Sequence, residues 1–363
     1  MREFWREICL VNMFAYEKMF CKFHDKIHSF FLFLPFIHHT MNTFGRIFRI
    51  TIYGESHGQS VGIVIDGCPP GIEITQDDFS NDLSRRKSGK KGTTARTEKD
   101  IPNISSGVFN NKTTGAPIHI SFENHDVKSA DYDKITNIPR PGHADYTAHV
   151  KYGGLNDPRG GGHFSGRLTA CLVAAGVVAK KIMHFASFNA LILEAGGHAN
   201  IEKAVDEALN NKDSIGGIVE CVVSGLPVGL GEPFFDSAES LISHLAFSVP
   251  AIKGIEFGSG FGAARMKGSE HNDPILPHGK TTTNHAGGIN GGITNGNDLV
   301  FRVAVKPTSS IAQTQQSIDL QTNQPADLKV EGRHDACIAL RVPVVMEAVA
   351  AVTLADCYLL DCS

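Results

Sequence analysis

The 363-residue chain has no CxxC pair, a single Trp, and no uninterrupted apolar run of the ~20 residues that a bilayer span takes. Its eight cysteines, among them Cys9, Cys68, Cys171, Cys221, Cys337 and Cys362, are scattered. That excludes the stapled framework of a small secreted domain and fits a cytoplasmic, reducing setting. Excess positive charge is also missing: 34 Lys+Arg face 38 Asp+Glu for a formal charge of -4, so neither nucleic acid nor a membrane surface is expected as a partner. His143 and His149 are not at a zinc spacing and have no Cys beside them, so no metal site is expected. Gly258-Ser259-Gly260-Phe261-Gly262 lacks the glycine spacing of a dinucleotide fingerprint, which sets aside a Rossmann reading. Short-period repeats and low-complexity linkers are absent too.

What is present is a globular composition, 42% hydrophobic and 20% charged, with length enough for a large core. The first forty residues stand apart. Eight of the 22 Phe and the one Trp fall there, and the apolar run Phe30 to Ile37 is broken by Pro35. We expect Met41 to be the natural start, residues 1-40 to be an atypical extension, with an unusual anchor as the second reading, and residues 41-363 to form a single catalytic domain. Strands are predicted at Ile47 to Tyr53, Val61 to Asp66, Ile215 to Val223 and Leu299 to Val305. Apolar spacing predicts helices over Ser165 to Ile182, around Ile201 to Leu209 and Leu241 to Ala246, and a buried helix over Pro343 to Leu360, where Glu347 and Asp356 argue against a membrane span. The mixture reads as α+β.

Three features suggest a site for a phosphorylated small molecule. Asp82 to Asp100 holds Arg85, Arg86, Lys87, Lys90, Lys91 and Arg96 with few apolar residues, and reads as a mobile basic loop that could meet phosphate or only face solvent. Gly160-Gly161-Gly162 precedes a predicted helix, where backbone N–H groups offer an anion site, or where the glycines only make a turn. Lys306-Pro307-Thr308-Ser309-Ser310 ends a strand with a cation and three hydroxyls, and Asn284 to Gly292 adds glycines that permit close approach. Two histidines lie in loops able to move protons: His57 in Gly54-Glu55-Ser56-His57-Gly58, and His143 between Arg140 and Asp145. Asp335 precedes the buried helix, as a desolvated base or as its cap.

In that order, Gly54 to Gly58, Arg140 to Tyr146, Ser165-Gly166-Arg167-Leu168-Thr169, Gly332 to Asp335 and Glu347-Ala348 resemble the chorismate synthase family from about Met41 to near the C-terminus. The resemblance implies a β-α-β sandwich, usually a homotetramer. It also implies a shikimate-pathway lyase that converts 5-enolpyruvylshikimate 3-phosphate to chorismate and phosphate with reduced FMN, and NADPH as a reductant. Carried over, His57 would protonate the departing phosphate, His143 would protonate or steady the reduced flavin, and Asp335 would act in proton removal. Arg49, Arg86, Arg140 and Arg333 would hold substrate or cofactor anions. His163, Phe164, Ser165, Ala251, Gly291, Lys306, Pro307, Thr308, Ser309, Ser310 and Arg333 match the family's FMN contacts. The chain departs from the family at His163-Phe164, where Arg-Ser is usual, at Lys91-Gly92, where a second Arg is expected for the dinucleotide, and at Pro250, where Asn is common. A flavin-binding module or oxidoreductase that has lost the elimination is the second reading, and an RNA contact through the basic loop the third.

Overall fold

The computed structural model describes residues 42–96, 98–125, 137–330 and 334–362, so the N-terminal extension and Arg333 lie outside the described residues. Two antiparallel sheets dominate. The first contains β1 (Thr43–Phe44), β2 (Arg49–Gly54), β3 (Ser60–Asp66), β4 (Asn103–Ser106) and β5 (Ile118–Glu123) in the order β1-β2-β3-β5-β4. The second contains β6 (Ser187–Ala195), β7 (Gly217–Ser224), β8 (Ile252–Phe257) and β9 (Leu299–Val305) in the order β8-β9-β7-β6. Alternation explains their faces: Val61, Ile63 and Ile65 of β3 are fully buried, as are Val219, Cys221 and Val223 of β7.

Helices fill the space between those buried faces. Helix α1 is Ser80–Arg86, α2 is Asp145–Lys151, α3 is Thr169–Ile182, α4 is Ile201–Asn210, α5 is Ala238–Ser248 and α6 is Pro343–Asp361. Helix α3 packs on β3 and β5 of the first sheet, α6 packs on β6 and β7 of the second, and α3 and α6 pack on each other. Gly176 allows that last contact, since a Cβ there would lie 2.4 Å from the Ala348 methyl. Helix α6 is long and apolar enough to cross a membrane, but 78% of its apolar window is buried here, as befits a core helix. All of these elements except α2 share one hydrophobic core, in an α+β arrangement.

Two predicted boundaries move for a physical reason. The strand expected from Ile47 begins only at Arg49, because the N–H groups of Arg46, Ile47 and Phe48 donate to the buried Asp356 carboxylate of α6 at 2.7 to 2.9 Å. The helix expected from Ser165 begins at Thr169, after a 3-10 turn over Gly166–Leu168 whose start is capped by the Ser165 hydroxyl, accepting from Arg167 N at 3.3 Å.

Candidate active site

The turn between β2 and β3 carries His57. Its entry requires glycine: Gly54 has φ +94, and a Cβ there would lie 2.4 Å from the Ser60 carbonyl oxygen. Four partners from elsewhere in the chain then hold the turn. Ser56 N donates to Gly162 O at 3.1 Å, and Arg96 donates to both the hydroxyl and the carbonyl of Ser56 at 2.8 and 2.9 Å. Asn124 Nδ2 reaches the carbonyls of Glu55 (3.1 Å) and Gly58 (2.9 Å), and His163 Nδ1 donates to Gly54 O at 2.8 Å. Ser56 is fully buried, and His57 is only 7% exposed.

The second imidazole is held by its own loop. The Arg140 guanidinium forks onto Asp145 at 2.7 and 2.8 Å, and Asp145 Oδ1 lies 2.5 Å from His143 Nδ1. Burial pushes the Asp145 carboxyl up, but its hydrogen bonds to Arg140 and His143 outweigh this and hold it far below the usual carboxylate range. An ionised carboxylate only accepts, and at 2.5 Å it is much nearer than Arg140 Nη2 at 3.1 Å, so Nδ1 of His143 carries a proton toward Asp145 and Nε2 is the nitrogen left for chemistry.

The two imidazoles meet at adjacent glycines. A Cβ on Gly160 would lie 2.6 and 2.7 Å from Cδ2 and Nε2 of His57, and one on Gly161 would lie 3.1 and 3.3 Å from Cε1 and Nε2 of His143. Both glycines have positive φ, +60 and +83. The run therefore does not open a helix to an anion, as expected from sequence, because α3 starts only at Thr169. Its role here is to let the backbone pass flat against both rings.

Asp335 reaches the same neighbourhood through the basic loop. It accepts from Thr94 N at 3.0 Å and faces Arg341 Nη1 at 3.4 and 3.5 Å, while Arg96 N donates to Thr94 Oγ1 at 3.2 Å and the Arg96 side chain holds Ser56. One short segment thus bridges Asp335 to the His57 turn, and Asp335 does not cap the following helix. This loop is only in part the cationic surface expected from its composition, with Lys90 and Lys91 exposed. Its first part is α1, Gly92 O accepts from Ala336 N and Cys337 N, and three of its cations have carboxylate partners: Arg85 with Glu347, Lys91 with Asp206, Arg96 with Glu98.

The remaining expected residues divide. Arg86 is 2% exposed and turned inward onto Asp100, Thr169 and the carbonyls of Gly166 and Arg167, so it braces the loop from beneath. Arg49 is exposed at the far end of β2, roughly 16 Å along the strand from Gly54, and pairs with Asp66. By contrast, Lys306 to Ser310 joins the His143 loop: Arg140 Nη1 donates to Ser310 Oγ at 3.1 Å, and Gly142 faces Ser309 Oγ. Lys306 N donates to the carbonyl of Ala251, which has φ +77, so Ala251 belongs to this cluster. Phe164 is part exposed beside Tyr152, and Ser165 is the cap already described. Gly291 lies on a separate hairpin turn with open space over its Cα. Sequence reasoning missed Arg96, Asn124 and Arg341 as site-builders. Only Arg96 carried a signal, as part of the basic run.

The family profile described as chorismate synthase matches residues 48–359. A chorismate synthase of Chitinophaga pinensis is 63% identical over 323 residues, covering 88% of this chain and 97% of the relative. One from Dehalococcoides mccartyi is 44% identical over 348 residues, covering 87% and 96%. A solved structure titled as a crystal structure of chorismate synthase superposes with TM-score 0.67 at 27% identity, over 88% of this chain and 93% of that one.

Proposed function

The chain belongs to the chorismate synthase family, and from that premise we propose that His57, His143 and Asp335 divide the proton and charge handling of its reaction. The enzyme is a carbon–oxygen lyase that eliminates phosphate from 5-enolpyruvylshikimate 3-phosphate in a 1,4 sense to give chorismate, the last common step of the shikimate pathway. The ring C–H to be broken is not acidic, and the phosphate leaves from a distant carbon.

Reduced FMN, when bound, supplies electron density to the ring and recovers it with no net redox change. The residues present suit it. Thr308 Oγ1 is buried and has no hydrogen-bond partner among the described residues, in the same short segment in which the Lys306 ammonium donates to the Ser309 hydroxyl at 2.8 Å. Lys306, Thr308, Ser309 and Ser310, with Ala251 bonded to Lys306 N, would hold the flavin, and the family resemblance adds Phe164, Ser165, Pro307, Gly291 and Arg333 as further contacts. NADPH would meet a loop whose Lys91 is already paired with Asp206.

His57 donates a proton to the departing phosphate oxygen, and burial beside Gly160 keeps water from competing for it. His143, oriented through Nδ1 by Asp145, presents Nε2 to the reduced cofactor's site, where its imidazolium form would donate a proton or lend positive charge. Asp335 accepts the ring proton, with Thr94 N and Arg341 fixing its carboxylate. We further read the layering of sheet, α3, α6 and sheet as a β-α-β sandwich, and residues 41–363 as one catalytic domain. Leu191 and Leu193, on the outer face of the β6 edge, support a homotetramer, and the buried free thiols of Cys171 and Cys221 support a cytoplasmic enzyme.

The observation that carries this reading is the packing of both imidazoles on adjacent glycines. Its test is anaerobic incubation of the protein with reduced FMN and the enolpyruvyl substrate. Phosphate and chorismate should appear together, and His57→Ala should lower kcat by about 10²-fold to 10⁴-fold. Flavin binding by folded protein without either product would favour the second reading, a flavin module that has lost the elimination.

A further inference from the structure

We propose that His163 is a positioning residue that fixes the turn carrying His57, and not a contact of the flavin. Both ring nitrogens face groups of the chain: Nδ1 donates to Gly54 O at 2.8 Å, and Nε2 lies 3.2 Å from the Asn42 side-chain amide. The bond to Gly54 is one end of a splint. Gly160 lies against the His57 ring, Gly162 O accepts from Ser56 N, and His163 holds Gly54 O, so the two segments run past each other in opposite directions with contacts at both ends. Gly54 already sits in the left-handed region at φ +94, where the chain leaves β2, so this carbonyl sets the direction in which the turn departs. The Arg96 and Asn124 bonds do not replace it, because they act on Glu55, Ser56 and Gly58.

Release of one end lets the turn tilt about the other, and a misplacement of about 1 Å at a reacting group costs up to roughly 10²-fold in rate. The inference rests on the assignment of His57 above, and it separates two roles that a residue at this position can have. A flavin contact would be read in cofactor affinity. A splint is read in turnover at saturating cofactor.

The test uses the full-length enzyme under anaerobic conditions, with reduced FMN dissociation constants, KM and kcat measured for the wild type, His163→Leu and His163→Gln. Leu removes the Nδ1–H donor, whereas Gln keeps an amide N–H for Gly54 O. The expected result for His163→Leu is a kcat about tenfold or more below wild type at saturating FMN, with flavin affinity and KM within about twofold, and recovery of most of the loss in His163→Gln. Weakened flavin binding with kcat restored at saturation overturns the proposal, as does an unchanged kcat in folded His163→Leu. If His163→Leu does not fold by circular dichroism, His163→Gln decides alone: near-normal kcat and flavin affinity support the splint, and weakened flavin affinity overturns it. A wild type that releases no phosphate sinks the assignment of function instead, and the flavin titration still reads His163 independently.

Discussion

The two loops that carry the imidazoles are held in opposite ways. The His143 loop is held mainly by its own residues, with cation, carboxylate and ring drawn from Arg140 to Asp145 and one outside bond, from Arg140 Nη1 to Ser310 Oγ. The His57 turn contributes little of its own order and borrows the rest from Arg96, Asn124, Gly162 and His163. A loop held mainly by its own residues concentrates its stability in one ion pair, whereas a borrowed one spreads it over bonds that close only when the whole fold is in place. The first is therefore open to a single severe change and the second to several milder ones.

The largest effect is expected where the first loop keeps its charge. Asp145→Ala leaves the buried Arg140 guanidinium without its partner, which typically costs about 3–5 kcal/mol, and it frees Nδ1 of His143. Urea unfolding at pH 7 measures it. The same group gives a pH signature. Its folded-state pKa is depressed, so its contribution is fully present above the ordinary aspartate value near ~4 and is lost as the pH falls below it. The wild type's urea midpoint should fall between about pH 5 and pH 3 more steeply than that of Asp145→Asn. Equal slopes would mean that the Arg140–Asp145–His143 cluster does not carry the loop.

A smaller effect is expected in the borrowed turn. Arg96→Leu withdraws two donors from buried Ser56, at a cost of about 1–3 kcal/mol, and should lower kcat by about tenfold through His57. Steady-state turnover beside a thermal melt separates these two parts. A loss of stability with no loss of kcat would show that the other clamps suffice.

The same contrast explains what could be read from the sequence. The Arg140 to Asp145 cluster was legible because its members are neighbours in the chain, and β9 was legible because a run rich in Val and Phe from Leu299 to Val305 is a local property. The clamps on the His57 turn were not, since nothing local to Asn124 or Arg96 says that they will meet Glu55 or Ser56. The late start of β2 has the same origin, in the Asp356 carboxylate of the last helix. The basic loop misled because composition reports charge but not partners: Glu347, Asp206 and Glu98 neutralise Arg85, Lys91 and Arg96. The glycine run was recognised as a place of close approach, but the approaching groups are the protein's own imidazoles.

Two glycine substitutions test the central claim most directly. Gly160 and Gly153 both have φ +60, so alanine pays a similar backbone strain at each, yet an added methyl strikes the His57 ring only at Gly160 and meets open space at Gly153. Chorismate formation by Gly160→Ala should fall by about 10²-fold in folded protein, while Gly153→Ala stays close to wild type. Equal turnover by the two variants would contradict a pocket in which both imidazoles rest on one glycine strip.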